Sequence, residues 1–133
     1  MDLDLINTAA SAILSQRTKM DIIAANIANA QTTRDANGAN NPYRRKTVSF
    51  QTVLDEQNQV HGIEVQAIEE DQSELKKVFD PGHPDADEEG YVSYPNVQTE
   101  REMVDMLQTK ASYEANLKTI QVAKQMFNSA LDI

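Results

Sequence analysis

The chain reads as mainly α with a small β middle. A long helix stands at each end, the two pairing as a coiled coil, with short antiparallel strands between them. Three observations predict this. All four Gly and all four Pro fall between residues 38 and 95, so nothing breaks a helix in the first 37 or the last 38 residues. Apolar residues recur at helical spacing in both flanks and alternate in between. Charge divides at the same places: residues 1–54 carry 6 basic and 4 acidic side chains, 55–89 carry 2 and 12, and 90–133 carry 4 and 5. Near-neutral ends pack against copies of themselves, whereas a strongly acidic middle stays in solvent. The boundaries follow: residues 1–34 form the N-terminal helix, 35–95 an irregular loop and strand region, and 96–133 the C-terminal helix.

The first helix is expected to start at Asp2 or Asp4, where a carboxylate suits the positive end of the helix dipole. Steps of three and four give Leu3, Ile6, Ala10, Ile13, Arg17, Met20, Ala24 and Ile27, a heptad seam with seven apolar positions of eight. Ala9, Leu14, Ile23 and Ala28 widen the stripe, and Asn7, Ser11, Gln16, Lys19 and Asn26 lie mostly off it. Thr32 and Thr33 lead into a loop, so the helix is expected to end between Gln31 and Arg34.

In the middle, Tyr43 to Phe50 joins a basic cluster to Val48 and Phe50 on one strand face. Ile63, Val65 and Ala67 alternate after Gly62; Leu75–Phe79 and Tyr91–Tyr94 are two more short candidates. Two or three short antiparallel strands are the expected result.

In the second helix the same spacing selects Met103, Met106, Lys110, Tyr113, Leu117, Ile120, Lys124, Phe127 and Leu131, seven of nine apolar. Val104, Leu107, Ala111, Ala123 and Ala130 flank them. Pro95 fixes an extended lead-in, and Asn96 and Thr99 are both candidate caps, Thr99 the better because Glu102 follows at the spacing of a capping box. Helices of ~30 to ~35 residues are rods of roughly 45–50 Å. A hairpin buried inside one monomer is the plain reading. The wide stripes, and lengths beyond the ~10–14 residues usual in a globular domain, favour helices that also offer apolar faces to other subunits.

The composition excludes most chemistry. The net charge of −9 opposes nucleic-acid binding, which needs basic excess. With no Cys there is no disulfide, zinc–thiolate site or cysteine nucleophile. The longest apolar run, Ile22 to Ala25, is far short of the ~20 residues of a membrane span. The acidic start Met-Asp-Leu-Asp is not that of a cleaved secretory signal, so any exit from the cytosol is expected to leave the N-terminus intact. Asp85, Asp87, Glu89 and Gly90 imitate the opening of an EF-hand loop, but Asn96 stands where its last carboxylate is needed, and Pro81 and Pro84 forbid the entering helix. An acidic solvated turn is the better account. His61 and His83, the only two His, are not at metal-ligand spacing. Arg44-Arg45-Lys46 beside Tyr43 and Phe50 hints at RNA stacking, yet one cluster against −9 reads better as a salt-bridge partner for carboxylates of the same or a neighbouring subunit. Nothing points to an enzyme, a cofactor, a metal or a small-molecule substrate.

The motifs then converge. Ala25-Asn26-Ile27-Ala28-Asn29-Ala30 with Thr32-Thr33 is similar to the Asn-Leu-Ala-Asn signature of flagellar rod and hook axial proteins, with Ile27 where Leu is usual. Pro42-Tyr43-Arg44-Arg45-Lys46 with Phe50, Asp80-Pro81-Gly82-His83-Pro84-Asp85-Ala86-Asp87, Gly90-Tyr91-Val92 and Pro95-Asn96-Val97 resemble the proximal-rod members of that family. Glu102–Met106, Ser112-Tyr113-Glu114-Ala115-Asn116 and the Lys124–Leu131 end complete the likeness. The resemblance implies a structural subunit of the basal-body rod. It implies export through the flagellar type III apparatus without signal cleavage, and assembly in the periplasm with other rod and basal-body proteins and with copies of itself. It implies terminal helices paired as an axial core, transmitting torque. Asn26, Asn29 and Asn116 would then fix register in helical interfaces. A helical-hairpin adaptor or export chaperone that never polymerises is the alternative.

Overall fold

The computed structural model describes residues 3–133, in the order α1 (Leu3–Ala28), β1 (Lys46–Leu54), β2 (Val60–Glu70), β3 (Lys76–Phe79), β4 (Tyr91–Tyr94) and α2 (Thr99–Leu131). Asp2, one of the two expected helix starts, lies outside them. Helices at the ends and antiparallel strands between them are as expected. The strands number four rather than two or three, in two separate ribbons, β1 with β2 and β3 with β4. In the second ribbon Lys76 lies opposite Tyr94 and Phe79 opposite Tyr91.

Three of the turns are built alike. Asp35, Asp55 and Asp87 each accept, at one carboxylate oxygen, backbone N–H groups two and four residues on, at 2.8 to 3.0 Å. The residue three positions on is left-handed in each: Gly38 at φ 77°, Asn58 at φ 59° and Gly90 at φ 87°. The pattern is Asp-x-x-Gly or Asp-x-x-Asn, and the carboxylate substitutes for a backbone acceptor. Part of the acidity of the middle is therefore turn-forming chemistry.

Both inner helix ends differ from expectation. α1 stops at Ala28, short of Gln31, because the Asn29 side-chain amide donates to Ala25 O at 2.8 Å and Ala30 N turns to Ile27 O at 3.3 Å. At the start of α2 the Glu102 N–H donates to Gln98 O at 3.0 Å, so Gln98 and not Thr99 is the cap residue. No capping box forms, because the Glu102 carboxylate is turned inward and taken by other partners.

The chain divides into two compact units, one of Met1–Asp21, Val48–Ile68 and Met106–Ile133, the other of Ile22–Thr47 and Glu69–Asp105. In the first, α1 meets β2 through hydroxyl groups of Thr8, Ser11 and Ser15. In the second, Val92, Pro95 and Val97 are fully buried together with two polar side chains, Asn26 and Glu102.

The buried line of each helix is shifted from the expected seam. α1 buries Ala9, Ala12, Ser15, Ile23 and Asn26; α2 buries Glu102, Thr109 and Ala123. All but Ser15 stand one residue before a seam position, about 100° around the helix. The cause is polar partnering. Ser15, Asn26 and Glu102 have hydrogen-bond partners within the chain and turn inward to meet them. The larger apolar residues move to the flanks.

Candidate assembly site

The second unit gathers the motifs that the sequence holds far apart. Asn26, near the end of α1, makes a two-sided bond with the backbone of Lys46: its amide donates to Lys46 O at 2.9 Å, and its Oδ1 accepts from Lys46 N at 2.9 Å. The same Oδ1 accepts from the Tyr43 hydroxyl at 2.8 Å. One residue back, Arg45 N donates to Asn96 Oδ1 at 2.8 Å, and the Asn96 amide donates to Asp71 O and to the Ser73 hydroxyl at 3.0 and 2.9 Å. Two asparagines thus grip the dipeptide 45–46, one from the end of α1 and one from just before α2.

A charged group completes the cluster. Arg45 Nε pairs with Glu102 Oε1, and its other nitrogens reach Asp71 at 3.3 Å and Asp105 at 3.9 Å. The Glu102 side chain is 1% exposed, and its second oxygen accepts from the Asn26 amide at 3.4 Å. Burial alone would lower the Arg45 pKa, but the hydrogen bonds and charges of Glu102 and Asp71 outweigh it. Asp71 is held below the ordinary carboxylate value first by the Ser73 backbone N–H, then by the Ser73 hydroxyl and Arg45. Burial, then Glu102 and Glu70, push the Tyr43 phenol up.

The 80–97 motif is a corner held by side-chain contacts. Asp85 is buried, bonded by the Thr33 hydroxyl and the Arg34 guanidinium, each at 2.7 Å. Those two contacts lower its pKa, the hydroxyl most. The acidic turn expected there is solvated at Asp87 and Glu89, which are exposed, but Asp85 is a buried anchor for the segment that leaves α1. Phe79 and Tyr91 meet edge to face at 5.3 Å, and a Cβ on Gly90 would come within 3.0 Å of Phe79 and 3.1 Å of Pro81. Pro81, Gly82 and Tyr91 are exposed and Pro95 is buried. Among the described residues, no group of His, Asp and Glu is placed to hold a metal.

Of the expected register asparagines, Asn26 binds a strand backbone, Asn29 closes the end of α1, and Asn116 is half-buried in α2. Of the basic cluster, only Arg45 forms ion pairs among the described residues. Arg44 donates to the carbonyls of Asp71 and Ser73, and Lys46 lies 6.0 Å over the Tyr43 ring. Pro42 is half-buried beside them. Sequence reading gave Glu102 only a capping role and a place in a motif, and it missed Asp71 and Ser73. The only signal was an ionisable residue, Glu102, one position before an apolar seam.

The seam residues lie elsewhere. Ile6, Ile13, Met20, Ile27, Met106, Tyr113, Leu117 and Ile120 are half-buried, and Leu3, Met103, Phe127 and Leu131 are exposed, Leu3 by 74% and Leu131 by 69%. Leu5, Leu14, Val104, Leu107, Val122 and Met126 are exposed as well. In the first unit a groove of 320 Å³ runs between Leu5 of α1 and Lys118, Val122, Ala123 and Met126 of α2. Among the described residues, no helix is long and apolar enough to cross a membrane.

The sequence is similar to those of known proteins. A family model described as "Flagella basal body rod protein" matches residues 6–34, and one described as "Flagellar basal body rod FlgEFG protein C-terminal" matches residues 88–133. The flagellar basal-body rod protein FlgC of Bacillus subtilis is 42% identical over 142 aligned positions, covering 96% of this chain and 95% of that one. The chain belongs to the FlgC family of flagellar basal-body rod proteins. The FlgC proteins of Borreliella burgdorferi and Salmonella typhimurium are 39% and 34% identical, each over at least 96% of this chain and 94% of their own. As a FlgC-family chain it is a structural subunit of the basal-body rod of the bacterial flagellum, a motility component and not an enzyme. The two matched stretches hold α1 from residue 6 on, the start of the loop after it, β4 and α2.

Proposed function

We propose that this chain builds the rod by packing the flanks of α1 and α2 against neighbouring subunits, copies of itself and other rod and basal-body proteins among them. The observation that carries this is the run of large apolar residues left exposed on both helices, from Leu3, Leu5 and Leu14 to Leu107, Met126, Phe127 and Leu131. A monomer rarely exposes so much apolar surface unless a partner covers it. The seam residues Leu3, Ile6, Ile13, Met20, Ile27, Met103, Met106, Tyr113, Leu117, Ile120, Phe127 and Leu131 are its contact set. Residues 1–34 and 96–133 are the axial core and 35–95 the region outside it. Pairing of the helices as a coiled coil is supported by two contacts: Leu5 beside Lys118–Met126 in one unit, and Asn26 bonded to Glu102 in the other. Packed helices of 26 and 33 residues would carry torque as stiff rods. Export through the flagellar type III apparatus, with assembly in the periplasm, belongs to the same reading.

The test is genetic. Ile13→Asp or Leu117→Asp places an unpaired charge in an apolar interface, at a cost far above a surface change. Motility and rod assembly are expected to fail while the subunit is still secreted, because export uses the unfolded chain. A motile strain carrying either change removes the seam from the account.

A further inference from the structure

α1 does for β2 what a third strand would do. The Thr8 hydroxyl donates to His61 O at 3.3 Å, the Ile63 N–H donates to Ser11 Oγ at 3.0 Å, and the Ser15 hydroxyl donates to Ile63 O at 3.2 Å. Ser11 gives its own proton to Thr8 O at 2.7 Å. The three hydroxyls stand at i, i+3 and i+7, on one helix face. Between the two bonded strand residues lies Gly62, where a Cβ would fall 2.8 Å from Ser11 Oγ and 3.3 Å from Ser11 Cβ. Glycine is what permits the approach.

The contact is polar and thin. The buried α1 side chains nearest to it in sequence are Ala9 and Ala12, and a cleft of 390 Å³ lies alongside, lined by Leu14, Thr18, Val53 and Val65 among others. A contact made by hydroxyl hydrogen bonds, with little apolar burial, opens more readily than a packed core.

We propose that Thr8, Ser11 and Ser15 make α1 a removable guard over the β2 edge, and that the strand it excludes is β2 of a second copy. An uncovered edge with free N–H and C=O groups is a template for another strand. β2 has 11 residues and no Pro. It also complements itself: antiparallel pairing centred on Ile63 sets Gly62 opposite Glu64 and His61 opposite Val65, so no carboxylate meets another there.

The test uses the full chain carrying Ser11→Ala with Ser15→Ala, and reads amide hydrogen exchange at Ile63 by NMR over a concentration series. In dilute solution the Ile63 amide is expected to exchange roughly tenfold faster than in wild type, as one lost hydrogen bond allows. As concentration rises it is expected to become protected again while the mass doubles. Gly62→Ala, which drives Ser11 away by contact, is expected to behave alike. Unchanged protection of Ile63 in the dilute variants would show that α1 guards nothing. Fast exchange at every concentration would show that no second β2 takes its place. Either result overturns the proposal.

Discussion

Glycine at residues 38 and 90 serves one turn geometry in two surroundings, and the difference is measurable. Nothing lies within 4 Å of a Cβ at Gly38, so Gly38→Ala should cost only the left-handed backbone, about 1 kcal/mol. Gly90→Ala adds contacts with Phe79 and Pro81 and should cost about 2 kcal/mol or more. Urea midpoints of the two variants check the order. The Arg45–Glu102 pair sets a sharper contrast. Arg45→Met leaves Glu102 buried without its counter-charge, a loss of about 3–5 kcal/mol, whereas Arg45→Met with Glu102→Leu should restore much of it. Equal stabilities for the single and double variants would show that Glu102 is not held by Arg45. Asp71 and Asp85 add a pH dependence. Their folded-state pKa values lie below the ordinary one, so their stabilisation is complete above the unfolded value of ~3.9 and is lost as pH falls through the folded values. Unfolding midpoints should be flat between about pH 7 and 5 and fall below about pH 4. Asp85→Asn should flatten part of that fall, and an unaltered slope would discount its bonds to Thr33 and Arg34.

At the scale of elements, period and punctuation are what the sequence displays most clearly. The helices and strands stand where Gly and Pro frame them, and β4 matches its expected bounds, Tyr91–Tyr94. Helix phase was not legible. A seam read from apolar residues places Met103 and Ile27 at its centre, yet Glu102 and Asn26 take the inward positions because their partners, Arg45 and Lys46, come from a distant segment. Hydrophobic spacing carries no trace of a hydrogen bond across that distance. The three aspartate turns were legible in principle, since Asp-x-x-Gly and Asp-x-x-Asn are local signals. They were masked by reading acidity as a solvated surface. The basic cluster shows the same limit. Arg45 is an internal ion-pair partner, so Arg44→Glu with Arg45→Glu should unfold the second unit before it tests any contact between subunits. Circular dichroism melting of that variant should show a lower transition temperature than wild type, and an unchanged one would free Arg45 for a role outside the chain.

For the whole molecule, the balance is between a chain satisfied in its polar contacts and unsatisfied in its apolar ones. Among the described residues every buried side-chain nitrogen and oxygen has a hydrogen-bond partner, while Leu3, Leu107, Phe127 and Leu131 are at least half exposed. A rod subunit fits that balance: its polar clusters fix its own fold, and its apolar flanks await neighbours. The direct measurement is sedimentation velocity over a concentration series, comparing wild type with Phe127→Asp and Leu131→Asp in one chain. Both positions are exposed, so the variant should keep the wild-type circular dichroism when dilute. Wild type is predicted to grow into species larger than the monomer as concentration rises, and the variant to remain a monomer throughout. A wild-type chain that stays monomeric at every concentration, or a variant that grows as readily as wild type, would contradict assembly through the helix flanks.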